Sequence, residues 1–200
     1  MTRPRMVIFA GPNGSGKSSL TRLLIARDLL PPAHIDPDRL AQDDGDTTRA
    51  ATPAALLKAA RLRETWLAEG RDFCFETVFS HRGWLDFCDR ARRGGYEVWV
   101  YFIGIGDPAI NVTRVRARAA RKGHAIPDHV VIDRWHRSMG LLAEIAGRVD
   151  RLLVFDNERS DMADAAILPV ASSQWNANGP PRIEIFEDAP EWVRSRLFPR

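Results

Sequence analysis

The stretch GPNGSGKS, Gly11 to Ser18, constrains the folding of this 200-residue chain more than any other. It satisfies G-x-x-x-x-G-K-[ST] and lies between the apolar run MVIFA and the amphipathic SSLTRLL, where a strand should hand over to a helix. Gly11, Gly14 and Gly16 admit backbone conformations and close approaches that a side chain would block. The loop amides can then point inward and, with the positive end of the following helix, bind phosphate oxygens. Gly11, Pro12, Asn13, Gly14, Ser15, Gly16, Lys17, Ser18 and Ser19 are the residues expected to bind nucleotide. Lys17 is placed to neutralise the β- and γ-phosphates, and the Ser18 hydroxyl to ligate a metal ion. ATP and Mg²⁺ are therefore the expected cofactors.

The rest of the chain agrees with such a loop. Short apolar runs at Met6 to Ala10, Ala33 to Ile35, Asp72 to Glu76, Glu97 to Ile103 and Arg151 to Phe155 read as strands buried on both faces. Segments with helical spacing alternate with them: Ser18 to Leu29, Pro53 to Glu69, Trp84 to Arg93, Pro108 to Arg121 and Asp128 to Val149. Thr52 before Pro53 is a helix start, and Gly70 and Gly94-Gly95 are helix stops. After Asp156 the pattern weakens to two short strands, AAILPVAS and RIEIFED, around a turn-rich SSQWNANGPPR. The expectation is an α/β fold of the P-loop NTPase type, three layers α/β/α with a parallel sheet. Residues 1–200 are expected to form one domain, with 157–200 an extension at its edge.

Composition excludes several classes. Lys and Arg number 29 against 26 Asp and Glu, a net charge of +3, which argues against nucleic acid as a partner held by charge alone. An apolar fraction of 44% with 28% charged residues belongs to a globular chain and not to a disordered one. The longest apolar run, Val98 to Gly106, falls far short of the roughly 20 residues a membrane span needs. Cys74 and Cys88 have no metal-ligand spacing. The chain reads as soluble, reduced and cytoplasmic.

An acidic pair and a later glutamate supply candidates for chemistry. Asp36 and Asp38 follow a short strand, and ligands in doubly wound sheets bind beyond the carboxyl ends of strands. Kinases of small alcohols need a carboxylate that takes the hydroxyl proton as the bond to phosphorus forms, and Asp38 is the candidate base. Asp36 could reach the metal through water, bind the acceptor, or only cap the helix beginning near Pro37. Glu76 and Thr77 end another strand and are candidates for binding the acceptor, with the Glu76 carboxylate suited either to acceptor hydroxyls or to the metal's water shell. His81 and Arg82 follow in the next loop, where a single histidine is more often structural.

Arg114, Arg118 and Arg121 recur at i, i+4 and i+7, on one helical face, whereas Arg116 points off that row. A row of like charges requires an anionic partner or full solvation. A transferring phosphoryl group is such a partner, so Arg118 and Arg121 join Lys17 and Asp38 as catalytic candidates. The break at Lys122-Gly123, followed by His124 and Pro127, reads as a lid. Arg134 and Arg137, one turn apart on the next helix, could also face the nucleotide, while Trp135 reads as core.

These motifs together (GPNGSGKSSL, IDPDRLA, FET, RV-x-x-R with GH-x-IP, and DRWHRS) resemble the zeta toxin family of P-loop kinases from about Met6 to Asn157. The resemblance implies a nucleoside-kinase-like fold and transfer from ATP, with Mg²⁺, to a UDP-linked amino sugar. By it, Lys17 and Ser18 are the phosphate and metal residues, Asp38 the base and Glu76 the acceptor-binding glutamate. Arg118 matches a lid arginine, and His124 falls near another. An antitoxin protein is implied as partner where the toxin role is kept. Where the toxins follow their glutamate with Gly-Thr, this chain has Thr77-Val78, so a polar contact is missing at Val78.

Two other readings stand beside a small-metabolite kinase. A polynucleotide-end kinase also combines a P-loop, an aspartate base and lid arginines, but it needs a basic and aromatic groove. A nucleotide-binding module without catalysis would have no reason to keep Lys17, Ser18, Asp38 and Arg118 together.

Overall fold

The computed structural model describes residues 3–43, 52–122, 126–158 and 168–198, with the side chains of Arg121 and Lys122 outside that description. Seven strands form one sheet: β1 (Arg5–Ala10), β2 (His34–Ile35), β3 (Phe73–Thr77), β4 (Glu97–Gly104), β5 (Arg151–Asp156), β6 (Ala171–Gln174) and β7 (Arg182–Ile185). Their order is β2-β3-β1-β4-β5-β6-β7. The first five run parallel, and β6 and β7 add on antiparallel beside β5. β1 is thus central, and the loop that leaves it opens at the middle of the sheet's carboxyl edge.

Helices cover both faces, as near-continuous apolar strands require. On one face α3 (Pro53–Ala68), α4 (Gly83–Arg93), α6 (Asp128–Gly140), α7 (Leu142–Ala146) and α8 (Glu191–Leu197) pack on Met6, Ile8, Val98, Val100 and Leu152. On the other, α1 (Lys17–Ala26) sets Leu20 and Leu24 against Val7, Phe9 and Ile103. The two remaining helices, α2 (Pro37–Asp43) and α5 (Pro108–Lys122), flank the carboxyl edge.

Several local departures from the expected pattern have identifiable causes. The first helix stops at Ala26 instead of Leu29. Asp28 adopts a positive φ of 53°, and the Leu29 and Asp28 amides donate back to Leu24 and Ile25. That is a Schellman end built on an aspartate. The expected helix from Asp128 to Val149 is divided at Leu141, whose N–H donates to Ser138 at i−3. The tightened turn buries both Leu141 and Leu142. Helix α8 was not expected at all; its Trp192 lies so close over β4 that a Cβ on Gly104 would sit 2.3 Å from the indole. Among the described residues no helix is long and apolar enough to cross a membrane.

Candidate active site

The loop after β1 folds as a phosphate cradle. A Cβ on Gly11, whose φ is +138°, would lie 2.1 Å from the Ile103 carbonyl oxygen, so only glycine lets the chain leave β1 beside β4. Gly16 takes a left-handed φ of 99° at the N-cap of α1, which aims the helix's first amides into the loop. No acidic side chain occupies the first turn of that helix.

Lys17 is folded back on the loop. Its Nζ donates to the Gly11 and Pro12 carbonyls, 2.8 Å each. Burial pushes its pKa down to about 8; the Arg118 charge acts the same way, and Glu76 opposes both. The loop therefore holds a partly desolvated cation whose strongest available partner would be a phosphate.

This has a measurable consequence. Phosphates restore the favourable field around Lys17, so nucleotide binding above pH 8 must be coupled to proton uptake at this amine. The dissociation constant for ADP is expected to rise between pH 7.5 and 9.5. Calorimetry in two buffers of different ionisation heat should show protons taken up by the wild type and none by Lys17→Met. Ligand-free stability should move the opposite way. The folded pKa lies below the unfolded one, so the folded state gains as pH rises from about 8 toward 10.5.

Across the cradle the neighbouring strands deliver the acids. In the β2–β3 ladder Ile35 is opposite Phe75, which puts Asp36 and Glu76 one step further, at the same sheet edge. The Ser18 hydroxyl donates to Glu76 Oε2 at 2.7 Å. Asp36 Oδ1 accepts the Asp38 N–H at 2.9 Å, so Asp36 caps α2. Asp38 then stands in the first turn of that helix. Asp36, Asp38, Glu76, Ser18, Arg114 and Arg118 all line one cleft of about 750 Å³ together with Gly14 and Gly16. Most of the predicted constellation is thus brought together.

Other predicted residues are used differently. Thr77 turns its hydroxyl to the Phe79 N–H (3.1 Å), stabilising a buried phenylalanine with a positive φ of 54°. It shapes the loop after Glu76 and is not among the residues lining the cleft. Arg116 pairs with Asp128 across the α5–α6 junction, off the row as expected. Arg137 pairs with exposed Asp133 on its own helix, whereas Arg134 reaches Asn13 Oδ1 at 3.4 Å. Trp135 is buried, with its indole N–H on the Ile105 carbonyl. The Arg121 side chain and all of His124 lie outside the described residues.

The donor set fits a nucleotide and its Mg²⁺. Ser18 Oγ and Glu76 offer hard oxygens beside the cradle, and among the described residues no cluster of three or more His, Cys, Asp or Glu side chains could hold a metal ion. An ion here would need phosphate oxygens to complete its shell, as Mg²⁺ in phosphoryl-transfer sites does. When bound, Mg²⁺ would neutralise charge on the β- and γ-phosphates.

A central phosphate loop, a mostly parallel sheet and an acid-lined cleft define a P-loop kinase of α/β/α architecture. Residues 1–165 match the model of the Zeta toxin family, and the chain belongs to that family. It is 30% identical over 128 residues to an uncharacterized protein of Haemophilus influenzae, covering 64% of this chain and 89% of that one. Its fold is similar to a chain from the PezAT chromosomal toxin–antitoxin system of Streptococcus pneumoniae (TM-score 0.55, 17% identity, 80% of this chain, 70% of that chain). A putative kinase from Chloroflexus aurantiacus is similar over 80% of this chain and 94% of its own (TM-score 0.55, 20% identity). A chain of the AvrRxo1-ORF1:AvrRxo1-ORF2 complex matches 99% of this chain at TM-score 0.66 and 14% identity. There this chain spans 65% of the longer protein, whose complex has also been solved with ATP.

Proposed function

We propose that the protein transfers the γ-phosphoryl group of ATP, with Mg²⁺, to a hydroxyl of a small metabolite. The observation that supports this most is the shared cleft, in which Asp38 and Glu76 face Ser18 and Arg118 beside the phosphate loop. In this reading Glu76 receives the acceptor and Asp38 takes the proton from its hydroxyl as the new oxygen–phosphorus bond forms and the bond to ADP breaks. Lys17 holds the phosphates in line and Arg118 meets the charge on the transferring group.

The acceptor implied by the family resemblance is a UDP-linked amino sugar, and it is the first compound to test. Val78 offers no polar contact where the toxins carry threonine, which favours screening other hydroxylated metabolites in parallel. An antitoxin-type protein partner belongs to the same proposal, since the PezAT neighbour comes from a toxin–antitoxin system. The experiment is a screen of metabolite and nucleotide-sugar pools with ATP and Mg²⁺, reading ADP release and phosphorylated products by mass spectrometry. Acceptor-dependent ADP release is expected from the wild type and not from Lys17→Ala. Equal release from both proteins would overturn the kinase reading.

A further inference from the structure

A phosphate loop serves its ligand only when its peptide planes face the right way. In a trans peptide the carbonyl and the next residue's N–H point in opposite directions, so holding one aims the other. Lys17 holds the carbonyls of Gly11 and Pro12 from within the loop. Two further loop carbonyls are held from outside. Asn111 Nδ2, on the first turn of α5, donates to the Asn13 carbonyl at 2.7 Å. Asn157 Nδ2, just past β5, donates to the Ser15 carbonyl at 2.9 Å.

Both asparagines are buried, at 0% and 4% exposure. Asn157 is itself fixed, with its N–H on the Gly104 carbonyl (3.0 Å) and its own carbonyl accepting from Arg114 (2.9 Å). The contact from α5 is close as well: a Cβ on Gly14 would lie 2.8 Å from the Asn111 carbonyl oxygen. Asn111 Oδ1 is buried and finds no hydrogen-bond partner among the described residues. An orphaned acceptor costs free energy that an apolar side chain would avoid, so the carboxamide serves here through its donor and not through packing.

We propose that Asn111 and Asn157 are positioning residues of the phosphate loop: by holding the Asn13 and Ser15 carbonyls they turn the Gly14 and Gly16 amides toward bound phosphate. This rests on the nucleotide-binding reading above. It predicts a residue-by-residue correspondence. Asn111 governs the Gly14 amide, and Asn157 governs the Gly16 amide.

The test uses the full chain, ADP and adenosine as probes, and amide NMR. In the wild type, ADP should shift the Gly14 and Gly16 amide resonances. Asn157→Ala should lose the Gly16 response and keep that of Gly14; Asn111→Ala should do the reverse. Each variant should bind ADP roughly tenfold more weakly, as loss of a buried hydrogen bond does, with adenosine affinity unchanged. Asn157→Leu, of similar shape but lacking the donor, should behave like Asn157→Ala, whereas Asn157→Gln should recover part of the ADP affinity. Should Asn111→Ala fail to fold, the Asn157 series decides alone. Variants that lose melting temperature but keep both the ADP affinity and the amide shifts would reduce the asparagines to packing and overturn the proposal. A wild type that shows no ADP response would overturn the nucleotide reading, and this inference with it.

Discussion

Replacing Asp38 by asparagine is expected to lower kcat by roughly 10²–10⁴-fold while leaving ATP affinity close to that of the wild type. The two halves of this expectation come from different features. Asp38 lines the cleft from the first turn of α2, whereas the loop proposed to hold phosphate is built from β1, α1 and Lys17. The isosteric amide preserves shape while removing the negative charge and, with it, the capacity to take a proton. Asp36→Asn is the matched control, because asparagine caps a helix about as well as aspartate and would keep the bond to the Asp38 N–H. Turnover by Asp36→Asn should stay near wild type. If it is the Asp36 variant that collapses while Asp38→Asn turns over normally, the base has been assigned to the wrong carboxylate.

The features legible in the sequence were those written in local spacing. Gly11 to Ser18 declares itself because its glycines, lysine and serine recur at a fixed local spacing, although the Ile103 carbonyl that Gly11 must clear, 2.1 Å from a Cβ there, belongs to a distant strand. The strands β1 and β4 were the most legible because burial on both faces makes them almost continuously apolar. Asp38 and Glu76 could be placed from strand ends alone, since a parallel sheet sends all its carboxyl ends to one edge.

Most of what stayed hidden depends on contacts between distant segments. Asn111 sits in PAINVTRV and is a neutral residue in a helix; its meaning comes from a carbonyl 98 positions away. Thr77 reads as an acceptor contact until Phe79 is found in the left-handed region and in need of a bond to its amide. Helix α8 has only seven residues, too few to show periodicity, and is placed by Trp192 packing on Gly104 and donating to Asp156 at 2.9 Å. For Asn111 and α8 the missing information was tertiary; for Thr77 it was a left-handed backbone two residues further on.

The second large effect expected is at Arg118. Arg118→Ala should reduce kcat by about 10³-fold, the order found when a transition-state arginine is removed from a phosphoryl-transfer site. Arg118 is exposed on α5 and lines the cleft, and its charge already lowers the pKa of Lys17 across the loop. Two cations facing one another in this way repel until an anion lies between them. The γ-phosphoryl group of ATP, carrying its negative charge through the transition state, is suited to that position. Arg116, two residues earlier on the same helix, provides the comparison: its guanidinium is committed to Asp128, away from the cleft. Arg116→Ala should therefore leave turnover almost unchanged. The base of α5 is tied down by Asn111 and by Arg114 on the Asn157 carbonyl, while the break expected at Lys122-Gly123 and His124 falls largely outside the described residues. Amide exchange should accordingly slow from Arg118 outward when an ATP analogue and Mg²⁺ bind, with little change around Asn111. Equal losses in Arg118→Ala and Arg116→Ala, or full activity in both, would mean that the row of arginines is a solvated face and that the phosphoryl group meets its positive charge elsewhere.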